Sequence, residues 1–182
     1  MPFRFKKSGI NGLVLISPRV FEDWRGSFSE SYKLSEFKKN GIGYRFNQDN
    51  HSTSGKGVLR GLHYQLKPKE QGKLITVING EIFDVAVDIR RGSASYCSWF
   101  GKTLSAENGL MLFIPPGFAH GFVALKSNTE VVYKTTKEYS ECHERGISWD
   151  DPDIGIKWPL KNPRLSERDL KLPRLKDADN NF

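Results

Sequence analysis

Apolar and polar residues alternate over short runs along most of this chain, and residues of turn chemistry break the runs at near-regular intervals. That is the pattern of an all-β sandwich or barrel built from many short strands. Leu13–Val20 is predicted as a strand that Pro18 stops early, and Gly26–Tyr32 as another, with Phe28 and Glu30 on one side. From Tyr44 onward the expected strands are Tyr44–Asn50, Val58–Gln65, Lys73–Asn79, Glu81–Ile89, Tyr96–Leu104, Leu110–Ile114, Gly121–Leu125 and Thr129–Thr136. Asn79-Gly80 is the strongest hairpin signal, since both residues tolerate positive φ. In Glu81–Ile89, Phe83, Val85, Val87 and Ile89 form a purely apolar face, and Asp84 and Asp88 lie on the other. The single good helical stretch is Leu34–Asn40, with Ser35 as N-cap and Gly41 as the stop.

After Trp149 the character changes to turns, charged residues and scattered Leu. With no internal repeat and no low-complexity linker, the 182 residues read as one domain, 1–182, with a C-terminal extension over 150–182.

Composition narrows the classes. Twelve Phe, six Tyr and four Trp carry enough apolar area to build an interior, which argues against disorder. No apolar run approaches the roughly 20 residues of a spanning helix. The formal charge of +7 admits nucleic acid, an anionic membrane surface, a phosphorylated small molecule or a solvated surface. Lys and Arg are spread along the chain and interleaved with acids, without the basic stripe of a nucleic-acid binder. Cys97 and Cys142 are too few for a disulfide framework and point to a reducing cytosol. The N-terminal Met1-Pro2-Phe3-Arg4-Phe5-Lys6-Lys7 lacks the apolar core of a secretory signal.

Candidate proton-transfer groups are His51, His63, His120 and His143. Gly57 and His63, then Gly109, Pro115, Gly117 and His120, have the spacing of the two motifs of the cupin superfamily, which the chain therefore resembles. Two positions depart from it: the second His of the first motif is Gln65, and the terminal Asn of the second is Ala124. A transition metal needs three well-placed ligands and Gln is a poor one, so the barrel is expected without the metal. Further blocks then recur in order: Phe21-Glu22-Asp23-Trp24-Arg25-Gly26-Ser27-Phe28, Gln48-Asp49-Asn50-His51-Ser52, Arg60-Gly61-Leu62-His63-Tyr64-Gln65, Val132-Tyr133-Lys134 and Leu165-Ser166-Glu167-Arg168-Asp169. Across nearly its whole length the chain is similar to the dTDP-4-dehydrorhamnose 3,5-epimerase family.

The resemblance implies a double-stranded β-helix with a few short helices and a cofactor-free double epimerisation of dTDP-4-dehydro-6-deoxy-D-glucose. It makes His63 the base, Asp169 the group that orients and polarises its imidazole, Tyr133 the acid and Lys73 the cation at the enolate oxygen. It assigns substrate contacts to Arg25, Phe28, Glu30, Gln48, Asp49, Asn50, Arg60, Lys73, His120, Tyr139, Glu144 and Arg168. It also implies a cytoplasmic homodimer that exchanges its N-terminal strands, within residues 1–50, with no nucleic-acid or membrane partner. An ideal strand puts Arg60 and His63 on opposite faces. Either Gly61 marks a bulge that resets the register, or Arg60 serves a neighbouring subunit.

Taken singly, these residues have plainer readings. His51 is expected to make a local hydrogen bond and His143 to lie at the surface. Asp84 and Asp88 could be metal ligands, ion-pair partners or an interior network, with Asp84 favoured for support of the site. Rival functions are a single-carbon epimerase or 3,4-ketoisomerase, a non-catalytic nucleotide-binding module, and a metal-dependent cupin.

Overall fold

The computed structural model describes residues 1–182 as thirteen strands and one short α-helix. The strands are β1 (Phe3–Lys7), β2 (Val14–Pro18), β3 (Val20–Asp23), β4 (Gly26–Ser29), β5 (Gln48–Ser54), β6 (Leu59–Gln65), β7 (Lys73–Asn79), β8 (Glu81–Asp88), β9 (Trp99–Ser105), β10 (Met111–Ile114), β11 (Phe118–Ala124), β12 (Thr129–Thr135) and β13 (Glu144–Gly146). The helix α1 spans Leu34–Lys39. Six strands form one sheet in the order β1-β2-β10-β7-β12-β5, and five form a second in the order β13-β6-β11-β8-β9. The pairings within both sheets are antiparallel.

The sheets pack face to face because their inward positions are apolar. Ile75, Val77, Leu112, Ile114 and Val131 of one sheet meet Ile82, Ala86, Phe118 and Phe122 of the other in a buried core. The five-stranded sheet is covered on its outer face too. There Val85, Val87, Ile89, Leu62 and Tyr64 pack against Ile154, Leu175 and Ala178 of the C-terminal segment. The apolar face of β8 is thus the outer one, and its carboxylate face points into the barrel. On the far side of the six-stranded sheet, Phe37 and Ile42 close a third cluster with Phe3, Ile16 and Phe113.

Several elements depart from the sequence pattern for identifiable reasons. Tyr44 and Phe46 precede β5 and spend their rings on Phe113 and Tyr32, so the strand begins later than its aromatic run suggests. The turn at Asn79-Gly80 is no hairpin: β7 and β8 lie in different sheets, and the turn carries the chain across the edge of the barrel. Gly80 adopts φ 78°, and a Cβ there would stand 2.4 Å from Thr129 Oγ1. The N-cap of α1 is Lys33, which is extended and offers no side-chain cap, in place of Ser35. Leu13–Val20 splits into β2 and the start of β3, because the chain turns at Pro18-Arg19 into a separate ribbon, β3–β4. That ribbon pairs with neither sheet and holds Trp24 at 93% and Phe28 at 67% exposure.

Asp88 is a structural member of the carboxylate face. Its Oδ1 accepts from the Arg90 backbone N–H and Nε, and its Oδ2 from Arg90 Nη2 at 2.7 Å and from the Ser93 and Ser95 hydroxyls at 2.6 Å each. Burial pushes this carboxyl up, but the hydrogen bonds from Arg90, Ser93 and Ser95 outweigh it and hold it at about 2. A depressed carboxyl stabilises the fold above its unfolded value and loses that contribution as pH falls toward the folded one. Asp88→Asn is therefore expected to cost about 2 kcal/mol at pH 7 in urea unfolding. The gap from the parent should narrow as pH falls from 4 toward 2. A gap of the same size at both ends would contradict the assignment.

Candidate active site

The site forms at one end of the barrel, where inward positions change from apolar to ionisable. On β6, Gly61 and Leu62 together oppose Gly121 of β11, so His63 pairs with His120 while Arg60 pairs with Phe122. This bulge puts Arg60 and His63 on the same inward side and answers the parity conflict within one chain. Gly61 has φ 127°, and a Cβ there would lie 2.5 Å from the Gly121 Cα and 2.8 Å from the His120 carbonyl.

Arg60, His63, Lys73, His120, Tyr133, Arg168 and Asp169 line one cavity of about 540 Å³. Gln48, Asn50, Tyr139 and Glu144 line an adjoining recess of about 120 Å³ that shares His63, Lys73 and Tyr133 with it. The catalytic candidates and most of the binding candidates are therefore brought together. Asp49 is not: alternation along β5 turns Gln48, Asn50 and Ser52 inward and Asp49 outward, where it pairs with Lys134 at 2.9 Å. Arg25, Phe28 and Glu30 also lie elsewhere. Arg25 is exposed at the tip of the β3–β4 ribbon on Asp23, at 2.6 Å, and Glu30 pairs with Lys33 at 3.2 Å. Ser52, Arg164 and Ser166 line the cavity without having been singled out from the sequence. Period-two spacing from Gln48 and Asn50 would have found Ser52. Arg164 carries no such signal; it is placed by backbone bonds to Gly57 and Leu59 at the start of β6.

Asp169 opens a short 3-10 turn, Asp169–Lys171, on the C-terminal segment, and its Oδ1 accepts from His63 Nε2 at 2.8 Å. A carboxylate can only accept, so Nε2 carries the hydrogen and Nδ1 keeps the lone pair. Burial pushes the Asp169 carboxyl up. The hydrogen bond and charge of His63, the Gly61 N–H and the Ser166 hydroxyl overcome that and hold it below the usual carboxylate range. A second pair lies beside the first: His120 Nε2 donates to Asp84 Oδ1 at 2.7 Å, both residues buried. Burial lowers His120 against the opposing pull of Asp84. Lys73 is buried at the start of β7, and desolvation lowers its ammonium to about 8. Burial raises the Tyr133 hydroxyl above its ordinary value, against the opposing charge of Arg60, so it keeps its proton at neutral pH. Glu144 accepts from the Tyr139 hydroxyl at 2.7 Å and from Arg168 at 2.6 Å. These bonds hold its carboxyl low although burial works the other way.

The remaining histidines have structural partners. His51 bonds Glu130 across strands at 3.0 Å, a long-range contact in place of the local one expected. His143 is half-buried, with Nδ1 2.8 Å from the Ser140 hydroxyl. The two cysteines are free.

Metal-binding barrels of this shape need a donor trio, and the side chains here are otherwise engaged. Gln65 donates to the Lys69 and Glu138 carbonyls and accepts from the Ser140 N–H, and His120 is tied to Asp84. No three His, Cys, Asp or Glu side chains are grouped to hold an ion. Imidazole, carboxylate, phenol and ammonium groups gathered in one cavity suit proton transfer, and the relatives and structural neighbours of the chain are isomerases of the cupin fold. A family model described as dTDP-4-dehydrorhamnose 3,5-epimerase matches residues 7–177. The dTDP-4-dehydrorhamnose 3,5-epimerase of Shigella flexneri is 51% identical over 174 residues, 95% of this chain and 96% of that one. Its counterpart from Methanothermobacter thermautotrophicus is 50% identical over 178 residues, covering 96% of each. The crystal structure of the dTDP-6-deoxy-D-glucose-3,5-epimerase of Legionella pneumophila, in complex with dTDP-4-keto-L-rhamnose, superposes with a TM-score of 0.94 at 44% identity. That match covers 97% of this chain and 95% of the Legionella chain. The protein belongs to the dTDP-4-dehydrorhamnose 3,5-epimerase family.

The bulge makes a specific demand. Gly61→Ala adds a methyl that must push β6 from β11, so stability is expected to fall by at least about 2 kcal/mol. Activity should fall further than the unfolded fraction explains, because Arg60 and His63 lose their shared face. Thermal unfolding and turnover measured on the same sample check this; a variant as active as its folded fraction would contradict it.

Proposed function

We propose that this protein inverts C3 and C5 of dTDP-4-dehydro-6-deoxy-D-glucose to give dTDP-4-dehydro-L-rhamnose, a step of dTDP-L-rhamnose synthesis. One observation carries the reading: His63 and Tyr133 stand on opposing sheets, on β6 and β12, and face one cavity. Inversion needs a base on one face of a carbon and an acid on the other. The hydrogens at C3 and C5 are both α to the C4 ketone. His63 Nδ1 takes such a hydrogen as a proton, and the electron pair of the broken C–H bond moves into an enolate. Asp169 holds the imidazole and balances the charge it gains. Lys73 meets the enolate oxygen, and Tyr133 delivers a proton to the opposite face of the carbon; His63 then gives its proton to solvent and Tyr133 regains one from it before the second carbon reacts. Nothing is oxidised or reduced, so the reaction asks for no electron carrier.

Arg60 and Arg168, with Arg164 beside them, give the cavity its positive side and suit diphosphate oxygens. Gln48, Asn50, Tyr139 and Glu144 provide polar and stacking contacts in the adjoining recess, and His120 a further contact on the wall of the main cavity. We assign Arg25, Phe28 and Glu30 to the site of a second copy of the chain. The ribbon, which pairs with neither sheet, exposes Val20, Phe21, Trp24 and Phe28, with Phe21 and Phe28 opposite each other across its two strands, apolar side chains of the kind a partner covers. Free thiols at Cys97 and Cys142 suit a reducing cytoplasm. No helix is long and apolar enough to cross a membrane.

Turnover in deuterated water should place deuterium at both C3 and C5 of the product. Label at one carbon only, read by NMR, would reduce the activity to a single epimerisation; none would remove the proton-transfer mechanism. A second experiment tests the dimer. His63→Ala and Arg25→Ala are each expected to lose at least about 100-fold in kcat/KM. Co-expressed, the two variants should recover measurable turnover, since a mixed dimer has one site with His63 from one chain and Arg25 from the other. A mixture no more active than its components would reject the exchanged arrangement.

A further inference from the structure

Asp84 carries a buried charge at this site that the acid–base pair does not use. It is fully buried on the inward face of β8; Oδ1 is bonded to His120, and Oδ2 is buried without a hydrogen-bond partner. A carboxylate with a bare oxygen in a dry wall is costly unless a cation balances it. Lys73 is the one buried residue among the lysines and arginines. Its ammonium has no carboxylate within 4.0 Å, and its hydrogen bond, to the His63 carbonyl, is long at 3.5 Å. The other titratable and charged groups that share its cavity and recess are Arg60, His63 and Tyr64 on β6, His120 on β11, Tyr133 on β12, Tyr139 before β13 and Glu144 on it, and Arg164, Arg168 and Asp169 on the C-terminal segment. Desolvation pulls the Lys73 ammonium toward its neutral form, and Asp84, followed by Glu144, supplies the opposing field.

We propose that Asp84 is a positioning residue that keeps Lys73 an ammonium through charge and holds the His120 ring through Oδ1, without itself touching the substrate. The proposal rests on the reading that Lys73 meets the enolate oxygen: a neutral amine stabilises an oxyanion poorly, so the charge on Asp84 sets how much of the enzyme is competent. It also gives the bare Oδ2 a reason. An oxygen committed to a close hydrogen bond would spend its charge on one neighbour.

Asp84→Asn keeps the shape and removes the charge. The expected result is a fall of about tenfold in kcat with little change in KM, and an alkaline limb of the kcat–pH profile moved about one unit toward neutrality. A purely structural role would lower activity without moving the limb, and an unmoved limb overturns the proposal whatever happens to kcat. Lys73→Met is measured beside it. If that variant keeps activity, the enolate reading fails; if it is inactive while the Asp84→Asn limb stays in place, only the role of Asp84 is lost. Should Asp84→Asn fail to fold, the Lys73 ammonium is titrated by NMR in the parent and in Glu144→Gln, which removes the other carboxylate that favours it. With Asp84 as the main support the Lys73 midpoint should fall by less than about half a unit, and a fall of about one unit or more overturns the proposal.

Discussion

Charge taken out of water is the constraint on which this structure turns. Lys73, Asp84, His120 and Asp169 are buried and His63 is half-buried, all at one end of a barrel that is otherwise apolar. An isolated buried ion costs several kcal/mol, so such groups persist only in arrangements that answer one another. Here two imidazole–carboxylate pairs stand side by side on neighbouring strands, and an ammonium faces them from the opposing sheet. The barrel wall cannot supply the whole set. Asp169 comes from the C-terminal segment, which must cross the outer face of the five-stranded sheet to bring it in.

That requirement explains why one sheet is buried on both sides. The outer apolar row of β8 receives Leu175 and Ala178, while the inner row carries Asp84 and Asp88. The two carboxylates do different work. Asp88 is saturated by Arg90 and two serines and pins the loop after its strand, whereas Asp84 keeps an oxygen bare beside the cavity. A strand face that reads from sequence as one pair of acids is divided into an end saturated with hydrogen bonds and an end with an oxygen left bare.

The alternation of β8, the strand over Lys73–Asn79 and the single helix were legible because burial on a regular lattice leaves a periodic trace. The sequence pattern points to a strand that starts at Tyr44, before β5 begins, because the seven residues of β5, Gln48 to Ser54, include none with an apolar side chain. Its inward face lines the site, so function has removed the pattern by which strands are recognised. The same alternation misleads for Asp49: it lies within a recognisable block, yet it points outward. Asn79-Gly80 carried the chemistry of a tight turn but not the identity of the sheets it joins, which depends on pairings far along the chain. The conflict between Arg60 and His63 was visible as a violation of parity, and the bulge at Gly61 is its physical resolution. Arg164 had no trace at all, since its place comes from backbone hydrogen bonds to Gly57 and to Leu59, the first residue of β6, far earlier in the chain.

The position of Asp169 in the chain has a consequence for biosynthesis. Every strand of both sheets precedes it in sequence, so the barrel can close on the ribosome while the imidazole at its mouth still lacks its carboxylate. The imidazole of His63 gains its carboxylate partner only when the segment that carries Asp169, Leu175 and Ala178 docks on the five-stranded sheet. A chain cut before Asp169 would lose that partner together with Leu175 and Ala178, so one segment sets both the orientation of the imidazole and the dryness of the wall behind it.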